Sequence, residues 1–479
     1  MTQRPPVSYL GRFILPLVLL AAALAAWFTA DQLGTTDRQT AAPTSSSADL
    51  AAPLFTVRRV PEFATSTQQT EATAAALAAL PAEPGGLSCV SILVDGEPIL
   101  QVGNDRSLVP AYAQLLITAH VAIDVLGPEF TYETVVMAEA LPDDNGTIAR
   151  RVYVIGGGDP VLMSRNYALG FRPPLTTYTS FEALSQSVVD AGVVQINGGF
   201  VAVERRYDEQ RVVPGWPDQL SVDGIVGPLS ALQLDDAFTE RAAANLGVAV
   251  AAEEPAQHMI DRMVLELTDQ GVTVFGTHRL LGADEELPSL VPVTRISSPP
   301  LGDIVFQMLA VNDASAAELI LKELGFNAGD SGSTQAGGQV VQSVLQQQGV
   351  ELPVAFRDGS GLDPFGGTSC SQLAQTADTI PDDHRTLEFL PAHNLPGVFD
   401  GRLVDVAVEA DLRLVGGVQG DASGFVARTV DQGRRVTIAS IINRAGGPTA
   451  ADLDYQQALV EMVDGLRPAI SVEALSLDG

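Results

Sequence analysis

Eighteen consecutive residues without a charge, Phe13–Ala30 (FILPLVLLAAALAAWFTA), constrain this chain more than any other feature. A run of that length is just sufficient to cross a bilayer as a helix. Arg4 and Arg12 precede it, and Trp27 and Phe28 stand at its far boundary. Positive charge on the near side and aromatic residues at the far interface put residues 1–12 in the cytoplasm and the bulk of the chain outside. Phe28-Thr29-Ala30 is a poor small-x-small cleavage site, which favours an uncleaved anchor over a signal peptide. The expectation is a single-pass protein of the cell membrane that folds on the extracytoplasmic side.

The segment after the apolar run agrees with export. Residues 31–53 (DQLGTTDRQTAAPTSSSADLAAP) are rich in Ser, Thr, Ala and Pro without periodicity, as in a flexible tether. The two cysteines, Cys89 and Cys370, lie where a disulfide persists, and the sequence leaves open whether they pair or stay as two buried thiols. At 479 residues the chain is long enough for more than one hydrophobic core. Its 27 Lys+Arg against 58 Asp+Glu, a net charge of -31, argue against any nucleic-acid partner. Only Lys322 is a lysine, so any mechanism that needs two lysines is excluded.

Local patterning then places the elements. Cys89–Val102 reads as two strands around an Asp95-Gly96 hairpin turn. Tyr112–Leu126 has helical apolar spacing and stops at Gly127-Pro128. Short strand-like runs with Gly/Pro punctuation, such as Arg151–Ile155, fill a mixed α/β stretch from about 133 to 290. After Ser298-Pro299 an apolar stripe (Leu301, Ile304, Val305, Met308, Leu309, then Ala317, Ile320, Leu321, Leu324) predicts one or two helices. Gly424–Val430 and Val436–Asn443 are β-rich runs around Asp431-Gln432-Gly433, and Asp452–Leu466 is a closing amphipathic helix. That ending suits an antiparallel sheet covered by helices.

Several phrases, in order, carry a resemblance: Ser107–Ala119 (SLVPAYAQLLITA), Gly156–Pro160 (GGGDP), Pro214–Pro217 (PGWP), Gly227–Asp235 (GPLSALQLD), Ser298–Glu318 (SPPLGDIVFQMLAVNDASAAE) and Asp358–Leu362 (DGSGL). Singly each is weak, but their order and spacing are specific. Together they make residues 85–465 similar to the low-molecular-mass penicillin-binding proteins that act as D-Ala-D-Ala carboxypeptidases and endopeptidases. The resemblance implies an α/β (α+β) fold: a transpeptidase-like domain in two parts, 84–132 and 291–479, interrupted by an inserted region, 133–290, and joined to the anchor by a linker, 31–83.

Catalysis in that family uses Ser-x-x-Lys, Ser-x-Asn and Lys-Thr-Gly motifs facing one cleft. The first serine attacks the peptide carbonyl and the lysine one turn later takes its proton. Here Tyr112 stands in the serine place and Leu115 in the lysine place. Asn312 and Ala314 replace the serine and asparagine of the second motif, and Leu414-Val415-Gly416 stands where Lys-Thr-Gly would. A phenol with a pKa near 10 and no neighbouring base is no substitute nucleophile. Loss of a nucleophile or its base alone removes about six orders of magnitude in a serine protease.

Other constellations carry less. Gly329-Asp330-Ser331-Gly332 copies a trypsin-like signature but sits between helical runs, without the two β-barrels that chemistry needs. His120, His258, His278, His384 and His393 show no metal-ligand spacing, so neither a metal nor another cofactor is expected. Ser360 and Gly361 of the DGSGL phrase are candidate cleft residues. The leading expectation is a non-catalytic envelope protein with a scaffold or regulatory role in peptidoglycan metabolism, its partners peptidoglycan or other envelope proteins. The alternatives are an active carboxypeptidase/endopeptidase with displaced catalytic residues, and a muropeptide-binding module.

Overall fold

A computed structural model describes residues 73–466 apart from 82, 85, 172–173, 241–248, 351–355, 397 and 431–434. The anchor Phe13–Ala30, the tether, and the Asp431-Gln432-Gly433 turn lie outside the described residues. Among the described residues no helix is long and apolar enough to cross a membrane.

The Asp95-Gly96 signal does make a tight hairpin. Strands Leu87–Val94 and Glu97–Val102 pair antiparallel, with Val94 opposite Glu97. Asp95 and Gly96 both take positive φ, 53° and 83°, the conformation a two-residue hairpin turn requires and Asp-Gly tolerates. The hairpin lies at one side of a five-stranded antiparallel sheet. Across that sheet the order is Leu412–Gln419, Ala422–Thr429, Val436–Asn443, Leu87–Val94, Glu97–Val102.

Period-two alternation divides this sheet between two cores. Cys89, Leu93, Val415, Val426, Ala439 and Ile441 face one, shared with helices Leu115–Leu126, Leu301–Val311, Ala314–Ala328 and Cys370–Thr379. Val90, Ile92, Leu414, Phe425 and Ile438 face the other, shared with Tyr455, Leu459 and Val460 of the Ala450–Glu461 helix. Both faces are apolar because both are covered, which explains why these strands read as near-continuous hydrophobic runs.

A second five-stranded sheet has the order Arg279–Leu280, Phe200–Val203, Val152–Ile155, Glu133–Ala138, Val291–Ser297 and is mixed parallel and antiparallel. Helices Phe181–Asp190 and Pro255–Asp269 pack on it around their own core, with Val154, Phe200, Leu184 and Met259 fully buried.

Two stretches of helical periodicity are interrupted at the cleft. Ala111–Gln114 is a 3-10 turn that precedes the α-helix Leu115–Leu126. Ala111 has φ 48°, a left-handed conformation unusual for a side chain with a Cβ. The stripe after Pro299 is two helices because Asn312 takes φ 57° and ends the first. Asp313 then caps the second, its Oδ1 accepting the Ala316 N–H at 2.9 Å.

Candidate functional site

The three altered motif positions converge. Tyr112 leaves the 3-10 turn and is 4% exposed. Its hydroxyl donates to Gln419 Oε1 at 3.3 Å, near the end of the sheet's edge strand. Asn312 Nδ2 donates to the carbonyl of Gly416, on the same strand, at 3.3 Å. Between them lies Gly417. A Cβ built there would stand 2.6 Å from Asn312 Nδ2 and 2.8 Å from Tyr112 Cδ2, so only glycine lets the tyrosine ring and the asparagine close over the strand.

The register of the third motif comes from strand alternation. Leu414 points into the core on the far side of the sheet with Phe425 and Ile438. Val415 shares the cleft-side core with Tyr112. Val415, Gly417 and Gln419 therefore turn toward the cleft, and Leu414 and Gly416 do not face it with side chains. Leu115 is fully buried at the start of its helix, and Ala314 is buried at the start of the next. Both residues thus belong to the apolar core beneath Tyr112. The only lysine, Lys322, is buried, paired with Asp208, and donates to the Gln210 carbonyl at 3.0 Å.

Ser360 and Gly361 support the cleft from behind. Ser360 is fully buried and its hydroxyl donates to Glu318 Oε1 at 2.8 Å. Gly361, at φ +79°, lies against the 3-10 turn, and a Cβ there would fall 2.3 Å from the Ala111 carbonyl. The loop closes on Asp358, whose carboxylate accepts the backbone N–H groups of Gly361, Leu362 and Asp363 at 3.0, 2.9 and 2.7 Å. Gln114, two residues after Tyr112, donates to Asp358 Oδ1 at 2.8 Å, and Trp216 Nε1 donates to Asp358 Oδ2 at 3.0 Å. Burial pushes the Asp358 carboxyl up, against the pull of these donors.

The phrases that look like separate turns in the sequence are one another's partners. PGWP reaches DGSGL through Trp216 and Asp358, and GGGDP reaches GPLSALQLD through the Gly158 N–H and the Ala231 carbonyl at 2.9 Å. Glu318, the last residue of the Ser298–Glu318 phrase, accepts the Gly359 and Ser360 N–H groups at 2.8 and 3.0 Å. Gln114 and Trp216 lie within phrases that carry the resemblance, but nothing in the sequence gives them, Gly417 or Gln419 a role in the site. Gln419 carries no motif, and only the strand's alternation would have turned it toward Tyr112.

Beside Gln419 opens a cavity of about 430 Å³ lined by Val109, Pro217, Leu220, Leu362, Asp421 and Asn443 among others. Its walls are mostly apolar, and among the described residues no lysine or arginine lines it. Cys89 and Cys370 are joined by a disulfide that ties the hairpin to the Cys370–Thr379 helix, 281 residues on in sequence. Among the described residues no group of three or more His, Cys, Asp or Glu side chains could hold a metal ion.

A two-sided antiparallel sheet, a helix entering the cleft at the first motif and a second sheet inserted in the chain define the penicillin-binding, transpeptidase-like class of fold. Residues 67–245 and 239–464 match the D-Ala-D-Ala carboxypeptidase 3 (S13) family, and the chain belongs to that family. It is 24% identical over 373 residues to a D-alanyl-D-alanine carboxypeptidase of an Actinomadura species, covering 63% of this chain and 64% of that protein. The chain therefore spans just under two thirds of that relative's length. Among solved structures it is similar to penicillin-binding protein 4 of Haemophilus influenzae, with TM-score 0.65, 18% identity, and coverage of 84% of this chain and 99% of that one. A predatory endopeptidase of Bdellovibrio bacteriovorus matches with TM-score 0.51 and 13% identity over 81% of this chain and 95% of that one.

Proposed function

We propose that this chain is a catalytically silent member of its family, a scaffold or regulatory protein of peptidoglycan metabolism held at the outer face of the cell membrane by Phe13–Ala30. The seating of Tyr112 carries this reading. Its ring fills the nucleophile position, packed against Gly417 and Asn312, with Leu115 where the base would be needed and Leu414-Val415 where the third motif's lysine and threonine would stand. Lys322 offers no rescue, since it is buried in its pair with Asp208. Nucleophile, base and electrostatic partner act as a unit, so their joint replacement leaves no partial machinery.

The test is acylation of the full chain by a fluorescent penicillin, with an active family member as positive control and folding followed by circular dichroism. Folded protein without label supports the reading. A penicillin-competable covalent label refutes it, and the modified residue then identifies the displaced nucleophile.

The cavity beside Gln419 favours a compatible second reading, non-covalent binding of a muropeptide. Without a lysine or arginine in its described lining it offers no charged partner to a terminal carboxylate, so apolar contact must supply the affinity. Saturable binding of muropeptides, measured calorimetrically, is its expected result, and a flat titration removes it.

A further inference from the structure

We infer that the buried carboxyl pair Glu318 and Asp358 is a proton-controlled latch on the wall of the cleft, closed while Glu318 is protonated and loosened when it ionises. The two carboxyls share one hydroxyl: Ser360 Oγ lies 2.8 Å from Glu318 Oε1 and 3.5 Å from Asp358 Oδ2. Asp358 is built to be an anion, taking donors from Gln114, Trp216 and three backbone N–H groups. Glu318 is not. Its Oε1 accepts all of its donors, and Oε2 is buried with no hydrogen-bond partner. A proton on Oε2 is compatible with that environment, whereas a full negative charge shared onto it is not.

Among the described residues no cation is in place to compensate. On the Ala314–Ala328 helix that carries Glu318, Lys322 is paired with Asp208 and Glu323 with Arg206. On the loop, Arg357 is paired with Asp363 at 2.6 Å. From the Leu115–Leu126 helix and the turn before it come only neutral groups, Thr118 to the Gly359 carbonyl and Gln114 to Asp358. From the PGWP segment comes the Trp216 indole. Burial, then the Asp358 charge, push the Glu318 carboxyl up to about 8.

Ionisation sets two buried anions against each other across Ser360. The helix is held along its length by its own hydrogen bonds, so the Asp358–Asp363 loop is the part that yields. That loop holds Trp216, which lines a cavity of about 110 Å³. Pro217 and Leu220 line both this cavity and the larger one beside Gln419. Release of the indole loosens the wall common to both, which makes access to the cleft dependent on pH. The latch is independent of catalytic silence, because it is read at Trp216 in the ligand-free protein whichever way the acylation experiment ends.

Trp27 and Trp216 are the only tryptophans, so the full chain carrying Trp27→Phe reports Trp216 alone. Its emission is expected to shift to the red, reversibly and without loss of far-UV circular dichroism, with a midpoint near pH 8. Glu318→Gln should abolish the transition. Ser360→Ala removes a donor to the ionised form and should raise the midpoint by about one unit, which decides the matter if the glutamine variant fails to fold. A flat titration between about pH 6 and pH 10, a transition that survives Glu318→Gln, or a midpoint unmoved in Ser360→Ala overturns the inference.

Discussion

Truncating Tyr112 in two steps separates what its ring does from what its hydroxyl does. Tyr112→Phe keeps the ring against Gly417 and Asn312 and removes the hydroxyl that makes the 3.3 Å bond to Gln419. A neutral hydrogen bond contributes about 0.5–1.5 kcal/mol net, and the length of this one places it at the low end. Tyr112→Ala also empties the ring's space. At 4% exposure that ring is a core group, and emptying a buried aromatic site costs about 3–5 kcal/mol. Chemical denaturation of parent and variants, followed by circular dichroism, measures both steps. An alanine variant within about 1 kcal/mol of the phenylalanine one refutes the plug, because it would mean that the site is loosely packed and its ring dispensable. Tyr112→Ser costs about as much as alanine and still takes no penicillin label, since Leu115 and Val415 supply no base.

Three further outcomes are expected. Glu318 is held at about 8 in the folded chain against an ordinary 4.5, so the native state binds the extra proton between those values and stability falls as pH rises through them, then levels off. Glu318→Gln removes that slope, and its advantage over the parent should grow from pH 5 to pH 9 to at most about 5 kcal/mol; an equal gap at both pH values contradicts it. Replacing Cys89 and Cys370 by alanine should cost about 2–5 kcal/mol, because the bond closes a loop of sequence separation 281, and mass spectrometry of the unreduced parent must show the linked peptides. Gly361→Ala, forced onto the Ala111 carbonyl at φ +79°, should cost more than about 2 kcal/mol, while Gly271→Ala, at φ +91° with open space around it, should cost about 1 kcal/mol; equal losses would remove the steric argument.

Much is legible where a local rule has no competitor. Asp95-Gly96 announces its hairpin and Gly127 its helix stop. Prediction weakens where a rule of short range meets a demand of the cleft. Helical spacing from Tyr112 does not show the 3-10 turn, and the stripe after Pro299 allows two helices without placing their break at Asn312, because both depend on left-handed backbone held by tertiary neighbours.

Residue types thus determined on their own that no mechanism needing two lysines is open to this chain, since Lys322 is its single lysine. They also determined the alternation that makes each strand of the main sheet two-faced. Only the tertiary structure decided which face meets the cleft, moving Leu414 out of it and bringing Gly417 and Gln419 in. It alone turned Ser360 from a cleft candidate into a buried bridge between two carboxyls. The reason is range: composition and periodicity act within a few residues, whereas Tyr112 and Gln419 meet across 307 residues of chain and Ser360 meets Glu318 across 42. Contacts of that separation are set by how the helices lie on the sheet, which no local pattern records.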